Sequence, residues 1–317
     1  RPAPAQPPAG ARGPAGQASS GEVAQFRRKG HAVLRDFFGC DEVESLRGAV
    51  AAAKKDRELD AKRHALRTGL GMDRAAAAAA APEEVERLFR EKLQQSGRAQ
   101  ASFLQYFNLW RDSDDLRRWA VNPRMGRVAA DLLGVDKVRL YGDALFVKRP
   151  GDGVTGWHTD AEHVPLDTDD FLTVWIPLAP VPALEDGGSP LLFVDGSHRD
   201  PDVRDVGPAA LGSHAPLRAG DVTAHHGDTL HAAPELSRGG QERWAWAISY
   251  FRDGAARVEL PHDEPGEEDE EAESFQAWVR DVPLGARARH ALLPEVPAAR
   301  PASLPRAFRA RRGGVGG

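Results

Sequence analysis

The chain has 317 residues, 41% of them hydrophobic, which is enough for a sizeable core and excludes a globally disordered chain. Its 42 basic and 47 acidic residues leave a net charge of −5, unlike a general nucleic-acid binder, and no apolar run approaches the about 20 residues of a membrane-spanning helix. The single cysteine, Cys40, excludes an intrachain disulfide and a multi-thiolate metal centre, so candidate metal ligands come from eleven histidines and the carboxylates.

Residues 1–21 are rich in Pro, Ala, Gly and Ser and read as a disordered leader; a start at Arg1 rather than Met reads as a fragment or a processed chain. A helix is expected from Asp41, with Asp41 as cap, Glu44 three residues on, and Val43, Leu46 and Val50 on one face. A second starts at Pro82, with Glu83 and Glu84 in its first turn and Val85, Leu88 and Phe89 as its apolar stripe. A third runs from Asn122-Pro123 to Gly134 and carries Met125, Val128, Ala129 and Leu132 on one side. Residues 22–135 are therefore expected to be mainly helical. From Lys137 the pattern changes to short β-like runs: Val138–Lys148, Leu172–Leu178, Pro190–Val194, Asp221–His225 and Arg243–Phe251. Their spacing predicts a sandwich or barrel over 136–253 rather than a parallel sheet. Residues 22–253 read as one domain. Residues 254–317 read as an acidic loop (Asp263–Glu273), a short helix near Ser274–Val279, and a disordered basic, Gly-rich tail.

The chemistry concentrates in two segments. In Gly156-Trp157-His158-Thr159-Asp160, a strand would point His158 and Asp160 to one side. That pair needs a third ligand, and the segment from Gly220 to His231 offers His225, His226 and His231. Two imidazoles and one carboxylate on a β-scaffold suit non-haem Fe(II), with three coordination positions left open. His231 is preferred because Arg243 follows twelve residues later. Arg243 opens an alternating run in which Ala245, Ala247 and Ser249 share its face, while Trp244, Trp246, Ile248 and Tyr250 share the other. The small side chains leave an inner space with a guanidinium at its mouth, suited to the far carboxylate of a 2-oxo dicarboxylate.

The ordered set His158-Thr159-Asp160, His231 and Arg243, with Leu145–Gly151, Thr173–Leu178, Gly187–Leu191 and Gly196-Ser197-His198, resembles the phytanoyl-CoA dioxygenase family of Fe(II)/2-oxoglutarate oxygenases from about Phe26 to Phe251. The resemblance implies a double-stranded β-helix (jelly-roll, cupin-like) core with a helical buttress. It implies Fe(II), 2-oxoglutarate and O₂, and hydroxylation of a small molecule or acyl thioester with release of succinate and CO₂. It implies His158, Asp160 and His231 as catalytic metal ligands, Arg243 as the cosubstrate anchor, and Thr173 and Trp175 beside the cosubstrate. Related halogenases lack the carboxylate, so Asp160 favours hydroxylation. Two positions depart from the family pattern. Ala233 stands where a Ser or Thr is common, and Glu235 where an Asn is common.

Plainer readings remain for the other residues. His225 and His226 read as structural or as support behind the ligands, His163 as a mouth or loop residue, and His198 as a turn cap. Trp175 and Thr173 could be ordinary core. Lys148 either attracts carboxylates or ends its strand in water, the second being favoured. Asn108, Trp110 and Trp157 are candidate substrate contacts. The rival functions are a catalytically silent jelly-roll binding protein and a cupin-like metalloenzyme that does not use 2-oxoglutarate. A small-molecule substrate, no nucleic-acid partner, no membrane span, a monomer and an intracellular, soluble location are expected.

Overall fold

A computed structural model describes residues 16–68, 71–95, 103–200, 210–259 and 275–297. The expected acidic loop and basic tail, and most of the leader, lie outside these residues. Helix α1 (Ser20–Lys29) starts within the last residues of the expected leader, where Ser19 caps it by accepting from the Glu22 amide.

The helices form where their end signals stand. Helix α2 (Cys40–Asp56) buries Val43, Leu46 and Val50. Its start lies earlier than expected: Glu42 reaches back to accept from the Gly39 amide at 2.9 Å, so Gly39 and not Asp41 is the cap. Helices α3 (Glu58–Thr68), α4 (Arg74–Ala79), α5 (Pro82–Gln95) and α6 (Asp114–Ala120) follow. In α7 (Pro123–Leu133), Asn122 caps the start, Pro123 occupies the first turn, and Gly134 ends the helix with φ 71°.

Among the described residues, two antiparallel sheets build the core. The larger orders β1 (His31–Leu34), β8 (Val222–His226), β5 (Phe171–Pro177), β10 (Arg243–Arg252), β3 (Val138–Lys148) and β11 (Glu295–Val296), with β2 (Leu104–Phe107) also paired to β3. The smaller orders β4 (Thr155–His158), β9 (His231–Ala233), β6 (Leu192–Val194) and β7 (Leu211–Ser213). The mainly helical half thus donates β1 and β2 to the sheet. The segment beyond residue 253 donates β11 and buries Trp278 and Leu293 with Tyr141, Phe171 and Phe251. Among the described residues, no helix is long and apolar enough to cross a membrane.

The alternation of β10 sorts its side chains as expected. Trp246, Ile248 and Tyr250 pack outward with Met125, Val128 and Leu132 of α7 and with α2. Ala245 and Ala247 face inward with Trp175, Val181 and Leu217. The outer tryptophan is also tied by a hydrogen bond, Trp246 Nε1 donating to buried Asp143 at 2.7 Å. Truncating such a side chain removes about 3–5 kcal/mol of packing.

The inner faces of the two sheets meet through rings. Phe193 of β6 stacks on His31 of β1 at 4.3 Å and lies 5.6 Å from His225 of β8. His31 shares a hydrogen bond with His214 at 2.9 Å and another with Asp195 at 2.8 Å. Lys29 pairs with the second oxygen of Asp195. Burial pushes His31 down to about 4, despite Asp195, and pushes His214 down to about 3, with His31, Arg35 and Lys29 adding to it.

These two histidines are neutral when folded and take up protons more readily when unfolded. Their stabilising contribution is present above the ordinary histidine range and is lost as pH falls from about 6.5 toward 4. Buried Asp143, pushed up to about 6 by desolvation, acts in the opposite sense. We expect the thermal midpoint of His214→Leu to fall less steeply than that of the wild type between pH 6.5 and 4. Parallel unfolding curves across that range would show that the pair does not carry this acid sensitivity.

Candidate active site

The proposed ligands converge where the small sheet meets the inner face of the large one. His158 ends β4, and its register partner His231 begins β9, so adjacent strand ends bring the rings to 4.1 Å between centroids. Asp160 does not continue the strand. It opens a short 3-10 turn (Asp160–His163) after Thr159. The turn, rather than strand alternation, swings its carboxylate toward both imidazoles, which corrects the strand reading of the His-x-Asp segment. One atom from each of His158, Asp160 and His231 lies within 4.8 Å of the others, the geometry of a group that could hold a metal ion.

Hydrogen bonds select which atoms point inward. The Nδ1–H of His158 donates to the Gly156 carbonyl at 2.9 Å, and that of His231 to the Thr229 carbonyl at 2.9 Å. Each ring is thereby left with its Nε2 lone pair toward Asp160 Oδ1, at 3.7 Å for His158 and 3.6 Å for His231. The other carboxylate oxygen, Oδ2, is taken: Thr173 Oγ1 donates to it at 2.6 Å and His225 Nε2 at 2.9 Å. Two imidazole nitrogens and a single carboxylate oxygen are a donor set that fits Fe(II).

The electrostatics agree with that donor set. Burial, with His225 alongside, pushes His231 down to about 3, so its ring is neutral and its lone pair available near neutral pH. Burial pushes the Asp160 carboxyl up, but His231, the His225 hydrogen bond and His158 outweigh it and hold the group well below the usual carboxylate range.

Further in, Arg243 begins β10. It is buried, at 6% exposure, rather than standing at the mouth. Burial lowers it to about 10, which leaves it cationic. Its guanidinium lies 5.5 Å from the Trp175 ring and donates to the carbonyl and hydroxyl of Ser189. Ser189 stands behind a tight Gly187-Gly188 turn. A Cβ at Gly188 would collide with the Pro182 backbone, so only glycine lets the chain pass there.

The remaining candidates divide. Trp175 is buried with its ring beneath the Arg243 guanidinium. Thr173 donates to the carboxylate of Asp160 at 2.6 Å and shares a hydrogen bond with Ser249 Oγ at 2.9 Å. Trp157 is exposed next to His158, whereas Trp110 and Asn108 are buried and bond each other. Lys148 is fully buried, which overturns its placement in water. Sequence reasoning missed Ser189 as a partner of Arg243 and left His225 as generic support. The Gly-Gly-Ser turn was a signal for the first, whereas no local signal tied His225 to Asp160.

The phytanoyl-CoA dioxygenase family matches this chain over residues 26–243. No curated protein sequence matches it significantly. Among solved structures, the non-haem α-ketoglutarate-dependent carbocyclase SnoK of nogalamycin biosynthesis is 22% identical, with a TM-score of 0.64 over 90% of this chain and 100% of SnoK. EctD from S. alaskensis, solved with 2-oxoglutarate and 5-hydroxyectoine, is 18% identical, with a TM-score of 0.61 over 90% of this chain and 88% of that one. The epimerase SnoN, solved with Fe3+, α-ketoglutarate and nogalamycin RO, is 21% identical, with a TM-score of 0.57 over 87% of this chain and 97% of that one. These likenesses establish the jelly-roll fold. The family match spans well over half of the chain, which therefore belongs to the phytanoyl-CoA dioxygenase family of Fe(II)- and 2-oxoglutarate-dependent oxygenases.

Proposed function

We propose that His158, Asp160 and His231 hold the Fe(II), that Arg243 anchors the distal carboxylate of 2-oxoglutarate beside Trp175, and that the enzyme hydroxylates an aliphatic C–H bond of a small molecule or acyl thioester. The observation that carries this reading is the sorting of atoms around Asp160. Both Nε2 atoms and Oδ1 face one point, while Nδ1 of each ligand histidine and Oδ2 are already satisfied. When bound, Fe(II) with 2-oxoglutarate and O₂ supplies the oxidant for an unactivated C–H bond, with succinate and CO₂ as co-products.

The chain's own share is positioning. The carbonyls of Gly156 and Thr229 hold each imidazole in the tautomer that presents Nε2. Thr173 and His225 restrict Asp160 to one oxygen, which preserves the open positions that a cosubstrate and O₂ require. Arg243 meets a carboxylate with a charge-assisted, geometrically fixed fork, and its burial strengthens that contact. The small side chains of Ala245 and Ala247, packed with Trp175, Val181 and Leu217, make the surroundings of Arg243 apolar. Asp160 occupies the position that a halide would need, which favours hydroxylation. The named activities of SnoK and SnoN differ on one fold, so the outcome is set by how a substrate is held at the mouth, where Trp157 stands exposed.

Fe(II)-dependent conversion of 2-oxoglutarate to succinate should be measurable even without the natural substrate, and a wild type that neither binds nor converts it sinks the proposal. Arg243→Ala should raise the 2-oxoglutarate Kd about a hundredfold or more while sparing Fe(II) affinity; a cupin-like metalloenzyme with another cosubstrate predicts little change. His225→Phe should lower Fe(II) affinity about 10–100-fold, as loss of support behind a ligand does, with the fold intact by circular dichroism. Unchanged metal affinity would remove His225 from the mechanism.

A further inference from the structure

The facing ends of β3 and β10 place two basic side chains side by side. The strand register sets Lys148 directly opposite Arg243, so both side chains leave the sheet on the same face. Lys148 is fully buried. Its Nζ donates to the Pro234 carbonyl at 2.9 Å and the Ala233 carbonyl at 3.3 Å, and lies 5.0 Å from the Phe103 ring. Ser189, which accepts from Arg243, donates its own hydroxyl to the same Pro234 carbonyl at 2.6 Å. Arg243, Ser189, Pro234 and Lys148 thus close a ring around the chain that leaves the proposed ligand His231.

Every partner in that ring is neutral. Among the described residues, no carboxylate hydrogen-bonds or ion-pairs with Lys148 or Arg243. The carboxylate acting on Lys148 from a distance, Asp152, is bonded to the amide of Arg149. The Nε of Arg243 is buried without a partner. Burial and the neighbouring Arg243 push the Lys148 amine down to about 6. A buried amine beside a buried guanidinium loses hydration that neutral carbonyls only partly replace, and an anion received between them holds the proton on the amine and relieves both groups.

We propose that Lys148 is a second anchor for the distal carboxylate of 2-oxoglutarate, which it shares with Arg243 across the β3–β10 pair. The inference rests on the function proposed above and adds to it a specificity-determining residue. The side chain of Ala233 offers no donor, so the carboxylate oxygen turned away from Arg243 receives its hydrogen bond from the Lys148 amine. The plain alternative is that Lys148 only ties down the end of β9.

The test compares 2-oxoglutarate with 2-oxovalerate, which has the same chain length and a methyl group in place of the distal carboxylate. Dissociation constants are measured by calorimetry on the Fe(II)-loaded protein under anaerobic conditions. Lys148→Met should weaken 2-oxoglutarate binding about 10–100-fold, the range expected for one charge-assisted hydrogen bond, and leave 2-oxovalerate unchanged. Lys148→Gln keeps donors for the two carbonyls but drops the charge. It should show the same selective loss and serves if the Met variant does not fold. Equal weakening of both ligands, or of neither, in a folded variant overturns the proposal and leaves Lys148 as a structural tie. A wild type that does not prefer 2-oxoglutarate over 2-oxovalerate overturns the parent reading, and this one with it.

Discussion

The carboxylate of Asp160 is the point on which the active site turns. Its two oxygens do different things. Thr173 and His225, from β5 and β8 of the large sheet, take Oδ2. Oδ1 is left facing His158 and His231 of the small sheet. One side chain therefore joins the two sheets, and it does so with a hydrogen-bonding end and a metal-facing end. Removing a carboxylate oxygen from water costs free energy unless donors replace the water, which explains why Thr173 and His225 converge on Oδ2.

The rest of the fold makes that convergence possible. β10 lies centrally in the large sheet, between β5 and β3. Its large outward residues belong to the core that α2 and α7 share, and its small inward residues pack with Trp175, Val181 and Leu217 on the other face. Interchanging the two sets would crowd the face that carries Arg243 and leave the helices nothing to cover. The cationic end of that face is continuous with the metal-facing end through β9, since the segment Ala233-Pro234 contacts Lys148 and Ser189 while His231 begins the same strand. The proposed cosubstrate anchors and the proposed metal ligand His231 thus meet at one short strand.

Local signals were legible wherever they were strong. Asn122-Pro123 and Gly134 bound α7 as read, because caps are properties of single residues. β3 occupies Val138–Lys148 as expected from an unbroken β-like run. The shorter strands β1, β2, β7, β9 and β11 were not legible. Runs of two to four residues carry too little periodicity, and their pairing partners lie far along the chain. For the same reason the pairing of β11 with β3, from beyond residue 253, has no local signal.

By itself, the sequence determined the class of chemistry. One cysteine and many histidines restrict the ligand set, and the order of His158, Asp160, His231 and Arg243 with the alternation of β10 marks the family and its jelly-roll core. Only the tertiary structure decided how those groups work together. It moved Asp160 from a strand into a turn, and joined Thr173 to its carboxylate. It gave His225 its partner, and carried Lys148 from the expected water-facing strand end into the interior opposite Arg243. Residue identity and spacing constrain which side of an element a group faces. Which hydrogen bonds it makes, and how much water it loses, are set by segments that the sequence keeps apart and only packing brings together.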